Sequence, residues 1–131
     1  MPIQARLFLV IGALSALASV VVGAATTHTS NENVAANAAL LQTAMQYHQF
    51  HALALLAVGL IFDRVPSRWV AAAGWLMVLG SLLFSGNLYL RSLAGYHALH
   101  VVTPFGGGAF MLGWLALAIG VLARGGNRPG G

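Results

Sequence analysis

Residues 34–62 read VAANAALLQTAMQYHQFHALALLAVGLIF and contain no charged side chain. A helix needs about 20 mostly apolar residues to cross the hydrocarbon core of a bilayer. This stretch is long enough to do so, although its first half carries several polar side chains. It therefore predicts a membrane-spanning helix with one polar half.

Three further apolar stretches accompany it, at residues 7–25, 69–90 and 104–123. The chain of 131 residues is 59% hydrophobic and only 6% charged, with a mean hydropathy of +0.82. A soluble domain carries about 25% charged residues, so these few charges suit the ends of membrane spans. We predict an all-α membrane protein, a bundle of four transmembrane helices forming one domain (residues 1–123), followed by a flexible Gly-rich tail (residues 124–131).

The basic residues, all of them arginine, predict an orientation. Positively charged short loops favour the cytoplasmic side of a membrane. By the predicted spans, five arginines fall on one side and only Arg91 on the other: Arg6, Arg64, Arg68, Arg124 and Arg128. We therefore expect a multi-pass protein of the bacterial inner membrane with both termini cytoplasmic (N-in/C-in). The arginines form no basic stripe, so the expected partners are the lipid bilayer and either a second copy or another membrane protein, not nucleic acid.

Small residues recur along three of the predicted helices. Such residues let membrane helices approach each other closely. The predicted packing residues are Ser15, Ser19 and Gly23 on the first helix, Gly86 on the third, and Gly106, Gly107 and Gly113 on the fourth. This pattern favours a tightly packed bundle.

Histidines are the main candidates for chemistry, because the chain has five of them and no cysteine. His48 and His51 have the i,i+3 spacing that places two rings on one helix face, where they can share a metal. His28 and this pair form the candidate metal or ligand site. The supporting polar residues are Tyr47, Ser85, Asn87, Tyr89 and Thr103. The alternatives are hydrogen bonding between helices, metal or haem ligation, and proton or quinone chemistry.

Gln42, Gln46 and Gln49 form a second polar stripe on the same predicted helix. Unpaired polar groups facing hydrocarbon are costly, so two explanations compete. The first half of the helix rises above the hydrocarbon, or both of its polar faces are buried, one of them against another protomer. A small-solute channel along this helix is a further alternative.

The sequence lacks the patterns of common enzyme classes. There is no Walker loop, dinucleotide fingerprint, GxSxG elbow, HExxH or CxxC. The only two acidic residues, Glu32 and Asp63, fall on opposite sides of the predicted membrane and cannot form a paired-carboxylate site. We therefore expect a protein that is not an enzyme.

Several segments resemble, in order, the motifs of the domain of unknown function 423 family. They are GAATTH (23–28), YHQFHALALL (47–56), LFSGNLY (83–89), TPFGG (103–107) and GW (113–114). The resemblance implies four spans and a role that is not established. It gives weight to His28, Tyr47, His51, Ser85, Gly86, Tyr89, Thr103, Pro104 and Gly107. The chain departs from the pattern at Gln46, where the family usually has Arg, and His48 lies outside the pattern.

Together these observations favour a small non-enzymatic membrane protein, an accessory, assembly or scaffold factor that associates with itself. The alternative is a metal-, haem- or quinone-binding membrane protein that uses His28, His48 and His51. The sequence does not identify a cofactor.

Overall fold

The structure is a computed structural model that describes residues 1–126. Four helical stretches are long and apolar enough to cross a membrane: Ile3–Thr27, Ala38–Arg64, Arg68–Ala94 and His100–Arg124. No strand occurs within residues 1–126, and the prediction of an all-α fold with four helices suited to membrane spans is confirmed. The elements are α1 (Ile3–Thr27), α2 (Glu32–Ala36), α3 (Ala38–Arg64), α4 (Arg68–Gly80), a π-helical segment (Ser81–Gly86), α5 (Asn87–Ala94), a 3₁₀ turn (His100–Val102) and α6 (Thr103–Gly126).

The helices extend beyond the predicted spans at most ends. The second predicted span is divided, because Asn37 leaves the helical region at φ −121° and separates α2 from α3. In the predicted flexible tail, residues 124–126 continue α6. The remainder of that tail, residues 127–131, lies outside the described residues.

Local side chains explain where several helices begin and end. Ser67 Oγ accepts the Val70 N–H at 3.1 Å and caps the start of α4. Helix α5 ends at Gly95, whose φ of +69° favours glycine. This conformation returns the Tyr96 N–H to the Leu90 carbonyl at 3.1 Å, which satisfies one of the unpaired carbonyls at the helix end.

The packing contacts bring four of the arginines to one end of the bundle. A Cβ on Gly59 of α3 would lie 3.0 Å from the Ala5 carbonyl of α1, and one on Gly120 of α6 would lie 3.1 Å from Trp69 Cβ of α4. Arg6, Arg64, Arg68 and Arg124 belong to these same helix ends, which we call the arginine end. At the opposite end, Asn31 Nδ2 donates to the Leu93 carbonyl at 3.4 Å.

The interior differs between the two halves of the bundle. Toward the arginine end it is an apolar core that includes Phe8, Val58 and Met77, all fully buried. Toward the opposite end the buried side chains include His48, Ser85, Asn87 and Ser92. Because water is absent from the hydrocarbon, this polar half must satisfy its groups within the protein.

Gly106 and Gly108 provide a matched test of the close approach between α6 and the π-helical segment. A Cβ on Gly106 would lie 2.8 Å from Phe84 Cβ, whereas a Cβ on Gly108 would meet nothing within 4 Å. We expect Gly106→Ala to lower the free energy of unfolding by about 1–3 kcal/mol through overpacking. Gly108→Ala should leave it unchanged or slightly raised. Thermal unfolding in detergent measures both, and equal midpoints would contradict this packing.

Candidate functional site

His48 of α3 forms hydrogen bonds with side chains of two other helices inside the polar half. Its Nδ1 lies 2.8 Å from the Tyr89 hydroxyl of α5, and its Nε2 lies 2.9 Å from Ser15 Oγ of α1. Each hydroxyl can donate or accept, so either neutral tautomer satisfies both ring nitrogens. The contact explains why a histidine is buried between apolar helices.

His51 is held by a different set of partners. The Trp114 indole N–H donates to His51 Nε2 at 3.0 Å, and His51 Nδ1 lies 2.8 Å from the Tyr47 carbonyl. An indole can only donate, so Nε2 accepts and the proton lies on Nδ1, which donates to the carbonyl. The ring also stacks on Phe110, with centroids 3.6 Å apart and planes at 10°. These contacts fix a neutral imidazole of defined tautomer against α6.

The hydrogen bonds of this pair bear directly on the predicted metal site. All four ring nitrogens of His48 and His51 are engaged, so neither ring presents a free lone pair for a metal. No group of three or more His, Cys, Asp or Glu residues suited to a metal lies within the described part of the chain. The i,i+3 spacing did place both rings in the interior, but they contact different helices.

His28 is not brought to this pair. It is exposed at the end of α1, whereas His48 meets α1 at Ser15. At 1.5 Å per residue, that separation along α1 is about 20 Å. A single ligand of atomic size therefore cannot contact both His28 and His48.

The other predicted polar residues lie where the third span meets the start of α6. Asn87 Nδ2 donates to the Leu99 carbonyl at 2.8 Å and to Thr103 Oγ1. Within residues 1–126, three buried side-chain oxygens lack a hydrogen-bond partner: Ser81 Oγ, Ser85 Oγ and Asn87 Oδ1. Two of them belong to the π-helical segment, a type of irregularity that is frequent at functional sites.

The predicted packing residues occupy several kinds of position. On α1, Ser15 bonds His48, Ser19 Oγ donates to the Ala16 carbonyl at 2.7 Å, and a Cβ on Gly23 would lie 3.3 Å from Met45. Most of this stripe thus faces α3 of the same chain. Gly106 and Gly113 lie against the third span, whereas a Cβ added to Gly86 or Gly107 would have no neighbour closer than 3.8 Å.

An open groove lies between α3, α6 and the π-helical segment. It has a volume of about 500 Å³. Its nine lining residues include no arginine, lysine or carboxylate: Gln46, Tyr47, Phe50, His51, Phe84, Gly107, Phe110, Met111 and Trp114. We call this the aromatic groove. Its rim is open to the surroundings, since Phe50 is 60% exposed and Met111 is 71% exposed.

The sequence analysis singled out four residues of the groove as candidates: Gln46, Tyr47, His51 and Gly107. Phe50, Phe84 and Trp114 appeared there only inside motifs that resemble the family, and Phe110 was not noted. Phe110 and Trp114 are four residues apart on α6, a spacing typical of ordinary helix packing. Only the tertiary contacts reveal that both meet His51. The i,i+4 aromatic pair was the available signal, but nothing in the sequence linked it to a histidine on another helix.

Replacing Trp114 tests the assigned tautomer of His51. Trp114→Phe keeps the aromatic ring but removes the donor to His51 Nε2. We expect this change to lower the free energy of unfolding by about 1–3 kcal/mol. Nitrogen-15 NMR of the unchanged protein should show a protonated Nδ1 and an unprotonated Nε2 for His51.

The matched control is Trp75→Phe, because the hydrogen bond of the Trp75 indole N–H is an exposed 3.4 Å contact with Gln4 and phenylalanine keeps an aromatic ring next to Phe8. It should change stability much less. A protonated Nε2 in the unchanged protein, or equal losses for both variants, would contradict the assignment.

The chain as a whole resembles membrane proteins of one uncharacterised family. The family described as "Protein of unknown function (DUF423)" matches residues 22–107. The UPF0382 membrane protein YwdK of Bacillus subtilis is 35% identical over 116 residues, covering 87% of this chain and 94% of that protein. The UPF0382 inner membrane protein YgdD of Escherichia coli is 32% identical over 118 residues, covering 89% and 90%. No solved structure matches the chain. The motif resemblance is confirmed, and the chain belongs to the DUF423 family of membrane proteins of unknown function.

Proposed function

We propose that this chain is a non-enzymatic accessory, assembly or scaffold protein that works by associating with a second copy of itself in the inner membrane. The observation that carries the proposal is the row formed by Gln42, Gln46 and Gln49, which we call the glutamine seam. All three side chains are exposed on α3. None makes a hydrogen bond within the described residues.

The depth of the glutamine seam makes this exposure costly. About 20 residues span the hydrocarbon, so a span that ends near Asp63 begins near Ala44. Gln46 and Gln49 then lie within the hydrocarbon, and Gln42 lies at its border. An amide that faces lipid has no hydrogen-bond partner, which favours a protein surface opposite the seam.

The spacing and chemistry of the seam favour a second copy as that surface. Steps of four and three residues align side chains along one helix–helix contact. An amide both donates and accepts hydrogen bonds, so a row of glutamines is complementary to itself across a two-fold axis. Interhelical hydrogen bonds of this kind contribute about 0.6–2 kcal/mol each in membranes.

The absence of catalytic groups near the buried histidines, within residues 1–126, supports a role without chemistry. His51 is fully hydrogen-bonded in one neutral tautomer, and His48 is shared between two hydroxyls. Neither residue hydrogen-bonds to a carboxylate among the described residues, so the contact between Ser15 and His48 lacks the third group that orients the base in a catalytic triad. These contacts suit a structural role for both residues.

We further propose that the arginine end is cytoplasmic. Arg6, Arg64, Arg68 and Arg124 belong to that end, whereas Arg91 belongs to the other. Such an imbalance in short loops favours the N-in/C-in orientation. The relative in Escherichia coli is named an inner membrane protein, which supports the same membrane for this chain.

Because the chain has no cysteine, single cysteines test the orientation directly. Thr29→Cys, at the end opposite the arginine end, should react with a membrane-impermeant maleimide in spheroplasts. Pro66→Cys, at the arginine end, should react only after the membrane is permeabilised. The reverse pattern of labelling would overturn the proposed orientation.

Self-association can be tested by disulfide crosslinking in lipid vesicles. Ala39 is exposed on α3 and lies one heptad before Gln46, so Ala39→Cys should crosslink two copies under mild oxidation. Adding Gln42→Leu and Gln49→Leu should reduce crosslinking at least about fivefold, because the seam loses hydrogen bonds between helices. The conservative pair Gln42→Asn and Gln49→Asn retains the amides and should retain most crosslinking.

Ala24→Cys on α1 is the matched control for position, since Ala24 is exposed but lies on another helix. It should crosslink weakly. Equal crosslinking at both cysteines, or no effect of the leucine pair, would contradict association through the glutamine seam.

A further inference from the structure

We infer that the aromatic groove binds the headgroup of a membrane-dissolved quinone, a planar and uncharged ring that carries carbonyl oxygens. The groove lies near the middle of two spans, because His51 is central in α3 (Ala38–Arg64) and Trp114 is central in α6 (Thr103–Gly126). A ligand must therefore reach it from the hydrocarbon. Its volume of about 500 Å³ lies within the range usual for small-molecule sites.

Flat side chains form the walls of the groove. The ring centroids of Tyr47 and Phe84 lie 4.7 Å apart, and those of Phe50 and Trp114 lie 5.5 Å apart. Aromatic rings favour offset or edge contacts with other rings at such separations. A flat ligand ring can make these contacts over a larger area than a flexible acyl chain.

Two side chains of the groove can hydrogen-bond a ligand. Gln46 and Tyr47 line it, and neither side chain makes a hydrogen bond within residues 1–126. Both carry a donor, and carbonyl oxygens accept. A donor left unpaired in hydrocarbon is costly, so a ligand with carbonyl oxygens is favoured over a pure hydrocarbon.

The same lining disfavours other ligand classes. It offers no arginine or lysine to pair with a phosphate headgroup. His51 Nε2 already accepts from Trp114, so no imidazole lone pair is available as an axial ligand to haem. An uncharged ring with carbonyl oxygens is the class that matches both the walls and the donors.

Ligand binding in the groove does not depend on self-association. Gln46 touches both the groove and the glutamine seam, but Gln42 and Gln49 do not line the groove. A variant with both of these replaced by leucine should therefore retain ligand binding. Conversely, a groove variant that loses ligand binding but still crosslinks through Ala39→Cys would show that self-association does not require the ligand.

Trp114 provides the readout, because it lies in the groove. In a background with Trp69→Phe and Trp75→Phe it is the single tryptophan of the chain. Decylubiquinone, added to this protein in lipid nanodiscs, should quench its fluorescence in a saturable manner. Decylbenzene, which lacks the carbonyl oxygens, should compete at least about tenfold more weakly, as expected for the loss of hydrogen bonds.

A pair of neighbouring glycines gives the matched variants. Gly107 lines the groove, and a Cβ there meets only Phe84 at ordinary contact distance, 3.8 Å, so the position accepts a side chain and Gly107→Leu should extend one into the groove. It should weaken binding at least about tenfold, because it occupies the ligand's volume. Gly108→Leu, which points into open space, should bind as the background does.

Tyr47→Phe tests the hydrogen bond separately and does not depend on how Gly107→Leu folds. It should weaken decylubiquinone binding about fivefold, in keeping with the loss of one neutral hydrogen bond. Quenching that rises linearly without saturation, or that is equal in Gly107→Leu and Gly108→Leu, would overturn the inference.

Discussion

Hydrocarbon cannot hydrogen-bond a polar side chain, and this constraint organises the structure around α3. That helix places two histidines inside the bundle, and each must find its partners among neighbouring helices. His48 finds them on α1 and α5, and His51 finds one on α6. The polar half is thus held by directional contacts, whereas the arginine end is held by packing around residues such as Phe8 and Val58. Directional contacts allow fewer arrangements of the helices than apolar packing does.

The two halves have different consequences for function. An apolar core can be repacked with little change in shape, but the polar half fixes where each ring lies. His51 stacks on Phe110, and the two rings form a fixed part of the groove lining next to Tyr47 and Trp114. The aromatic groove is therefore largely preformed, which reduces the entropy lost when a ligand binds. Gln46 belongs to both the aromatic groove and the glutamine seam, so one helix supplies both proposed surfaces.

The fold could be predicted from sequence because long uncharged stretches have few alternatives in a membrane. Residues 34–62 were predicted to form one long apolar helix, and the structure confirms it apart from the break at Asn37. The interior of the site was less predictable. Spacing places His48 and His51 on the same side of one helix, but it does not tell which helices stand opposite each ring. The partners Ser15 and Trp114 lie on helices that are far apart in sequence. Spacing alone therefore suggested a shared ligand, whereas the structure gives each ring its own hydrogen-bond partners.

The π-helical segment Ser81–Gly86 gives the third span a property that an uninterrupted α-helix would lack. A π-helical turn accommodates an additional residue, and one residue of an α-helix corresponds to a rotation of about 100°. The segment therefore sets the angular register of everything that follows it. With the extra residue, Asn87 and Ser92 are buried and Tyr89 reaches His48. If the same residues formed an uninterrupted α-helix instead, these side chains would be rotated by about 100° from their buried positions. The third span thus consists of α4 and α5, whose side chains follow different angular registers. The hydrogen bonds of the polar half depend on the rotation that the π-helical segment introduces between these two helices.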